Sequence, residues 1–364
     1  MINKANSLYI HIPFCEAICD YCDFTKFFYN EKFAQNYLKE LKKEIISYSP
    51  YDVETIYIGG GTPTSLSDDL FLELLNIVKP YSDKVEEYTI EANPESLTYI
   101  KAKLMKEFGV NRVSIGVEST DDKILKAINR KHDFNKVKEA IKILNEVGIN
   151  NINVDLIIGL PNVTEKMFLN DLNRLVDLPI KHLSCYSLTV HPHTVFFNIN
   201  IKEPNEEFSR KVYDLAHNFL LEKGFIHYEI SNWCLPGYES KHNLTYWKNE
   251  KYYAIGIGAS GYLENYRYKN VTTLDKYNSE NKILEKEILS KKDLITYYLL
   301  TSLRTIYGID LIYFKSSFDE DLLLSKKIEI DQFIKDGLLI NKENRLFPTY
   351  DGMMVLDTIL VSLI

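Results

Sequence analysis

Three things are scarce in this chain: cysteine, basic charge and long apolar runs. Only five cysteines occur, Cys15, Cys19, Cys22, Cys185 and Cys234. An odd and small number for 364 residues argues against a disulfide scaffold and suits a reducing compartment. Lys and Arg total 43 against 51 Asp and Glu, a net charge of −8. Without a basic face, nucleic acid is not an expected partner. Short basic runs such as Lys42-Lys43, followed at once by Glu44, read as solvated helix faces. No apolar stretch reaches the roughly 18 residues that cross a bilayer. Residues 1–6 offer no apolar leader segment. The expected location is cytoplasmic, which is compatible with peripheral contact with a membrane.

Hydrophobic residues make up 45% and charged residues 26%, the balance of a folded globular protein. The length suggests one large domain and a smaller one. Apolar, β-branched runs at 8–12, 55–58, 88–91, 112–117, 152–158 and 182–188 alternate with helical stretches such as 31–46, 67–78 and 135–147. That alternation predicts βαβ units and a parallel sheet, as a partial barrel or an open sheet. Sites in such folds lie at the C-terminal strand ends. Here those ends read His11-Ile12-Pro13-Phe14-Cys15, Gly59-Gly60-Gly61-Thr62-Pro63-Thr64, Glu91-Ala92-Asn93-Pro94, Gly116-Val117-Glu118-Ser119 and Gly159-Leu160-Pro161. An amphipathic helix over 206–222 covers the sheet. The polar stretch 278–292 reads as a linker. Beyond it come a helix at 294–304, another near 326–335, a hairpin through 341–345 and a final helix, a winged-helix-like order. The acidic chain favours a packing or lid role for that module over DNA binding.

Cys15-x3-Cys19-x2-Cys22 gathers three of the five cysteines within eight residues. Thiolates are soft ligands for Fe–S clusters or zinc. Structural zinc wants four ligands, usually in two separated pairs. A cubane held by three cysteines leaves one iron open to the amino and carboxylate groups of a methionine moiety. Asp155 lies inside the apolar run Val154-Asp155-Leu156-Ile157-Ile158, where an unpaired carboxylate is costly. Successive glycines at 59–61 let backbone approach a ligand and expose N–H and C=O groups.

Tyr9-Ile10-His11-Ile12-Pro13-Phe14-Cys15-x3-Cys19-x-Tyr21-Cys22-Asp23-Phe24 resembles the radical-SAM signature, in the form shared by the heme chaperones and the oxygen-independent coproporphyrinogen III oxidases. The resemblance runs from about residue 7 to the C-terminus. It implies a partial (β/α)6 barrel over 1–200, a barrel-completing region over 201–280 and a winged-helix-like, mainly helical domain over 281–364. It implies a [4Fe–4S] cluster on Cys15, Cys19 and Cys22. It implies S-adenosylmethionine (SAM) at Gly60, Gly61, Thr62, Glu91, Arg130 and Asp155, with Tyr9 and Tyr21 packed beside the cluster and the adenine. Glu118 stands where the family usually has Gln, and His191 where it commonly has Glu.

Phe24 replaces an extra cysteine of the oxidases, and their long segment before the motif is missing. His242-Asn243-Leu244-Thr245-Tyr246-Trp247 matches the HNxxYW motif of the chaperones, which makes His242 a candidate heme ligand. The expected function is heme binding and transfer to acceptor hemoproteins, with SAM cleavage left open and a homodimer compatible with the sequence. The rival is decarboxylation of coproporphyrinogen III by a radical-SAM enzyme. A third reading, a radical-SAM enzyme with an unrelated substrate, rests on Glu118 and His191.

Overall fold

The computed structural model describes residues 5–279 and 281–364. Residues 1–4, within the stretch read as lacking a leader, and residue 280, within the polar 278–292 stretch, lie outside the described residues. Six strands form at the expected runs: β1 (Ser7–Ile12), β2 (Thr55–Gly60), β3 (Glu87–Ala92), β4 (Arg112–Glu118), β5 (Asn151–Ile158) and β6 (His182–Ser187), the last without a β-branched residue. They run parallel in sequential order. Their apolar residues are buried, because helices cover the sheet. Helices Glu31–Tyr48, Tyr99–Glu107, Phe134–Glu146 and Glu165–Val176 start on Asn30, Thr98, Asp133 and Thr164, each accepting a backbone N–H of the first turn.

Beyond β6 lie β7 (Ile226–Glu229) and β8 (Asn232–Cys234). On the other side of β1 come β9 (Tyr252–Ile255), β10 (Ser260–Leu263), β11 (Tyr266–Asn270) and β12 (Ile283–Ile288). The order is β12-β11-β10-β9-β1-β2-β3-β4-β5-β6-β8-β7, open at both ends, as a partial barrel requires. Helix Glu206–Glu222 lies on it through Val212, Ala216 and Leu220.

The 278–292 stretch is not a linker. Its centre is β12, paired antiparallel with β11 from Tyr266↔Ile288 to Asn270↔Ile283. Glu285, Lys286 and Glu287 are exposed because β12 is the sheet edge. Charge blunts such an edge against further pairing, and it also erases the apolar alternation that would announce a strand.

A second core, built on Leu299, Leu303, Ile309, Phe314, Leu346 and Ile359, begins beyond it. Helices Lys291–Ser302, Leu311–Phe318 and Lys327–Lys335 precede a hairpin of Leu339–Lys342 and Arg345–Pro348. With Ile309–Asp310 the hairpin makes a three-stranded sheet, the winged-helix arrangement. Backbone bonds from Ile230 N–H to Arg304 C=O (2.9 Å) and from Ile306 N–H to Tyr228 C=O (3.1 Å) tie this domain to the main sheet.

Candidate functional site

The cysteines ride on the loop after β1, and the loop's ends are pinned. Phe14–Cys15 pairs with Phe27–Phe28. His11 Nε2 lies 2.7 Å from Thr25 C=O, and Tyr29 N–H donates to Cys15 C=O at 2.9 Å. Asn129 Nδ2 donates to Ile18 C=O near the tip at 2.8 Å. The three thiols line one cavity of about 380 Å3 at the strand ends. Thr62 Oγ1 lies 3.5 Å from Cys15 Sγ, and Arg130 Nη1 lies 3.4 Å from Cys19 Sγ. Burial pushes the Cys15 thiol up to about 11, so a metal entering here displaces a proton. Among the described residues no three His, Cys, Asp or Glu side chains gather on one ion position. A cubane needs no such convergence, since each thiolate takes a different iron.

The glycines serve the loop as much as a ligand. Gly60 has φ +108°, and a Cβ there would fall inside the His11 ring. A Cβ on Gly61 would lie 2.8 Å from Ile12 C=O. The N–H groups expected to face a ligand are already bonded: Gly60 to Glu91 Oε2 (2.9 Å), Gly61 to Ile12 C=O (2.8 Å) and Thr62 to Phe14 C=O (2.8 Å).

Glu91, Glu118 and Asp155 meet in the same cavity. Tyr57 OH donates to Glu91 Oε1 at 2.7 Å. Burial pushes Glu91 up to about 7 against the pull of Tyr57 and Gly60. Asp155 accepts from Asn153 Nδ2 (2.8 Å) and Ser114 Oγ (3.2 Å), and burial raises it too. Glu118 sits at a β4 register shift with φ +66°. Its Oε1 is 3.8 Å from Arg130 Nη2, and burial pushes it up to about 7 against the pull of that guanidinium. Arg130 is itself buried. It donates to Asn93 Oδ1 (3.0 Å) and to Gly116 C=O, while its Nε has no partner. Three buried carboxylates form a cradle whose ionised state an entering cation would favour.

Tyr21 lines the cavity and packs on Phe196. Tyr9 does not line it; its hydroxyl lies 3.0 Å from His11 Nδ1, so it steadies the residue that clamps the cysteine loop. His191 stands on the rim, with Nε2 3.5 Å from Asp23 Oδ2. Sequence reasoning missed Asn93, Tyr57, Asn153 and Ser184 as site residues. Their signal is a polar residue at alternate strand positions: Ser114 pairs with Asn153, and Gly116 with Asp155, which in turn pairs with Ser184.

A parallel barrel presenting three thiolates and a carboxylate cradle at its strand ends defines a radical-SAM protein. Residues 9–175 match the family model described as the Radical SAM superfamily. Within it the chain belongs to the heme chaperone HemW family. It is 38% identical to the heme chaperone HemW of Lactococcus lactis, covering 97% of this chain and 95% of that one. It is 36% identical to that of Bacillus subtilis, covering 96% of each. The solved coproporphyrinogen III oxidase HemN of Escherichia coli superposes with a TM-score of 0.86 over 100% of this chain and 91% of its own, at 21% identity, which shows a shared fold.

A [4Fe–4S] cluster and SAM are the cofactors of this superfamily, and the residues present fit them. The donors are three thiols on a pinned loop, the buried Arg130 Nε lacks a partner, and the carboxylates of Glu91 and Asp155 are met only by neutral donors. Cys15, Cys19 and Cys22 would hold the cluster, which would supply an iron open to SAM's amino and carboxylate groups.

His242 does not fit a surface heme ligand. It is 0% exposed on helix Lys241–Trp247. Its Nδ1 lies 2.7 Å from Thr55 Oγ1 and its Nε2 2.7 Å from Tyr246 OH, so neither nitrogen is open to iron. Burial lowers it to about 3, so it is neutral. Spacing alone could not show that the motif helix turns its histidine inward. His242→Ala is expected to cost roughly 2–4 kcal/mol of stability in a denaturant titration, through lost volume and the loss of its bonds to Thr55 and Tyr246. An unchanged midpoint would refute this structural role. Cys234, the other soft donor near the motif in sequence, is a fully buried thiol raised to about 12 by burial.

Glu91 and Glu118 both hold their protons more tightly folded than unfolded. In the cofactor-free chain their contribution to stability is therefore full below about pH 4.5 and lost as pH rises through about 7. The effect is on the order of 3 kcal/mol per group at most. Melting of the apoprotein should drop from about pH 5 to about pH 8, and less so in Glu118→Gln. SAM affinity should rise over the same interval, as the ionised carboxylates meet its cations. A Glu118→Gln variant with the wild-type pH slope would exclude Glu118 as a source.

Proposed function

We propose that this chain binds heme and hands it to acceptor hemoproteins, with a cluster on Cys15, Cys19 and Cys22 and with SAM held by Gly60, Gly61, Thr62, Glu91, Glu118, Arg130 and Asp155. One observation carries the reading: end-to-end likeness to HemW chaperones at 38% identity, against a fold-level 21% to the oxidase. Phe24 supports it, since it stands 63% exposed beside Cys22 where the oxidases would carry a further cysteine. The reading needs neither a homodimer nor a membrane contact. Residues 281–364, apart from the edge strand β12, act as a packing module against the barrel.

The test is anaerobic. Cluster-loaded protein carrying hemin is mixed with an apo-hemoprotein, and, separately, cluster-loaded protein is given coproporphyrinogen III and SAM. Heme should move to the acceptor, and no carboxyl group should be lost from the porphyrinogen. Decarboxylation without heme transfer would replace this reading with the oxidase.

A further inference from the structure

A second cavity, about 850 Å3, lies between helix Lys241–Trp247, β10 and the winged-helix domain. Its volume falls within the range of pockets that enclose organic cofactors. Tyr262 and Tyr298 are buried in it, each 5% exposed. Trp247, Tyr307 and Tyr313 also line it, and the Tyr298 and Tyr313 rings lie 5.3 Å apart. Such faces stack on a flat aromatic ligand. Lys248 and Lys251 are exposed in the same lining and form no ion pair among the described residues; Lys248 acts on Glu250 only at a distance. The other charges there are Arg345 and Asp310, which neutralise each other at 3.1 Å, and Glu250, which offsets part of the lysine charge at longer range. An aromatic slot with a net positive charge, and with two lysines outside any ion pair at its rim, suits a planar ring bearing carboxylates. No His or Cys lines it.

Helix Lys241–Trp247 is shared by the two cavities. Asn243 lines the cysteine cavity, while Leu244 and Trp247 line the second. The HNxxYW motif thus has one buried residue, His242, that fixes the helix, one residue toward SAM and one toward the slot.

Resting on the heme reading above, we propose that this interdomain slot seats the porphyrin, stacked on Trp247 and Tyr313, with its carboxylates held by Lys248 and Lys251. Recognition is then by ring and charge, and metal-free protoporphyrin binds as hemin does. Lys248, Lys251 and Tyr313 are exposed, so changing them leaves the fold intact.

The experiment titrates hemin and protoporphyrin IX, each in turn, into cluster-loaded wild type, the Lys248→Glu/Lys251→Glu double variant and Tyr313→Ala, followed by the porphyrin band and by tryptophan quenching. Both ligands should bind the wild type and weaken roughly tenfold or more in each variant, with SAM binding unchanged. Unaltered hemin affinity in both variants would overturn the slot and leave the heme reading standing. A wild type that binds no hemin would overturn both.

Discussion

Cys19→Ala yields a folded protein without a cluster. Cys19 is half-buried near the tip of a loop whose ends are fixed by the Phe14–Cys15/Phe27–Phe28 pairing and by His11 on Thr25. Losing the thiol therefore costs little fold stability, within about 1 kcal/mol. The cubane, however, keeps only two of its three thiolates. Iron should fall from roughly four ions per reconstituted chain to under one. SAM affinity should fall with it, because the iron-held end of the ligand is released and Arg130 loses its neighbour 3.4 Å away. Cys234→Ala is the control: that thiol lies buried on β8, away from the loop, and iron content should not change. Full iron in Cys19→Ala would remove it from the ligand set.

Gly60→Ala attacks the same site through the backbone. The φ of +108° is poorly tolerated by any residue with a Cβ, and the added methyl would overlap the His11 ring. Moving His11 breaks its contact with Thr25 and frees one end of the cysteine loop. Moving the Gly60 backbone instead removes a donor from Glu91. We expect roughly 3 kcal/mol or more of destabilisation, and poor cluster retention even in the fraction that folds. Gly109→Ala, at a position with φ +85° and nothing near its Cβ, bears the backbone strain alone and should cost only about 1 kcal/mol. Equal costs at the two positions would show that contact with His11 is not the cause.

Five of the first six strands were legible as buried runs containing β-branched residues, and β6 (HLSCYS), which has none, was legible from its place in the strand–helix alternation. β12 was illegible because it is an edge strand whose charges face solvent. The cysteine triad could be read directly, since three soft ligands on one short loop have few other uses. The triglycine was found for a reason that is half right: its close approach is largely to His11 and the start of the cysteine loop, and the N–H groups of Gly60 and Gly61 are spent on Glu91 and Ile12. Asp155 stood out as a carboxylate in an apolar strand. Asn153 and Ser184 did not, because small polar residues in strands raise no such alarm until register brings them together. His242 shows the converse. A motif names a residue, but only the packing of Thr55 and Tyr246 around its ring reveals which way it points.

The central claim is that cluster and SAM occupy one cavity while heme occupies another. The direct measurement is a hemin titration of cluster-loaded protein already saturated with labelled SAM, without oxygen. One equivalent of hemin should bind while the label stays on the protein. Release of SAM in step with hemin binding would mean that the two compete for one cavity, and would contradict the account.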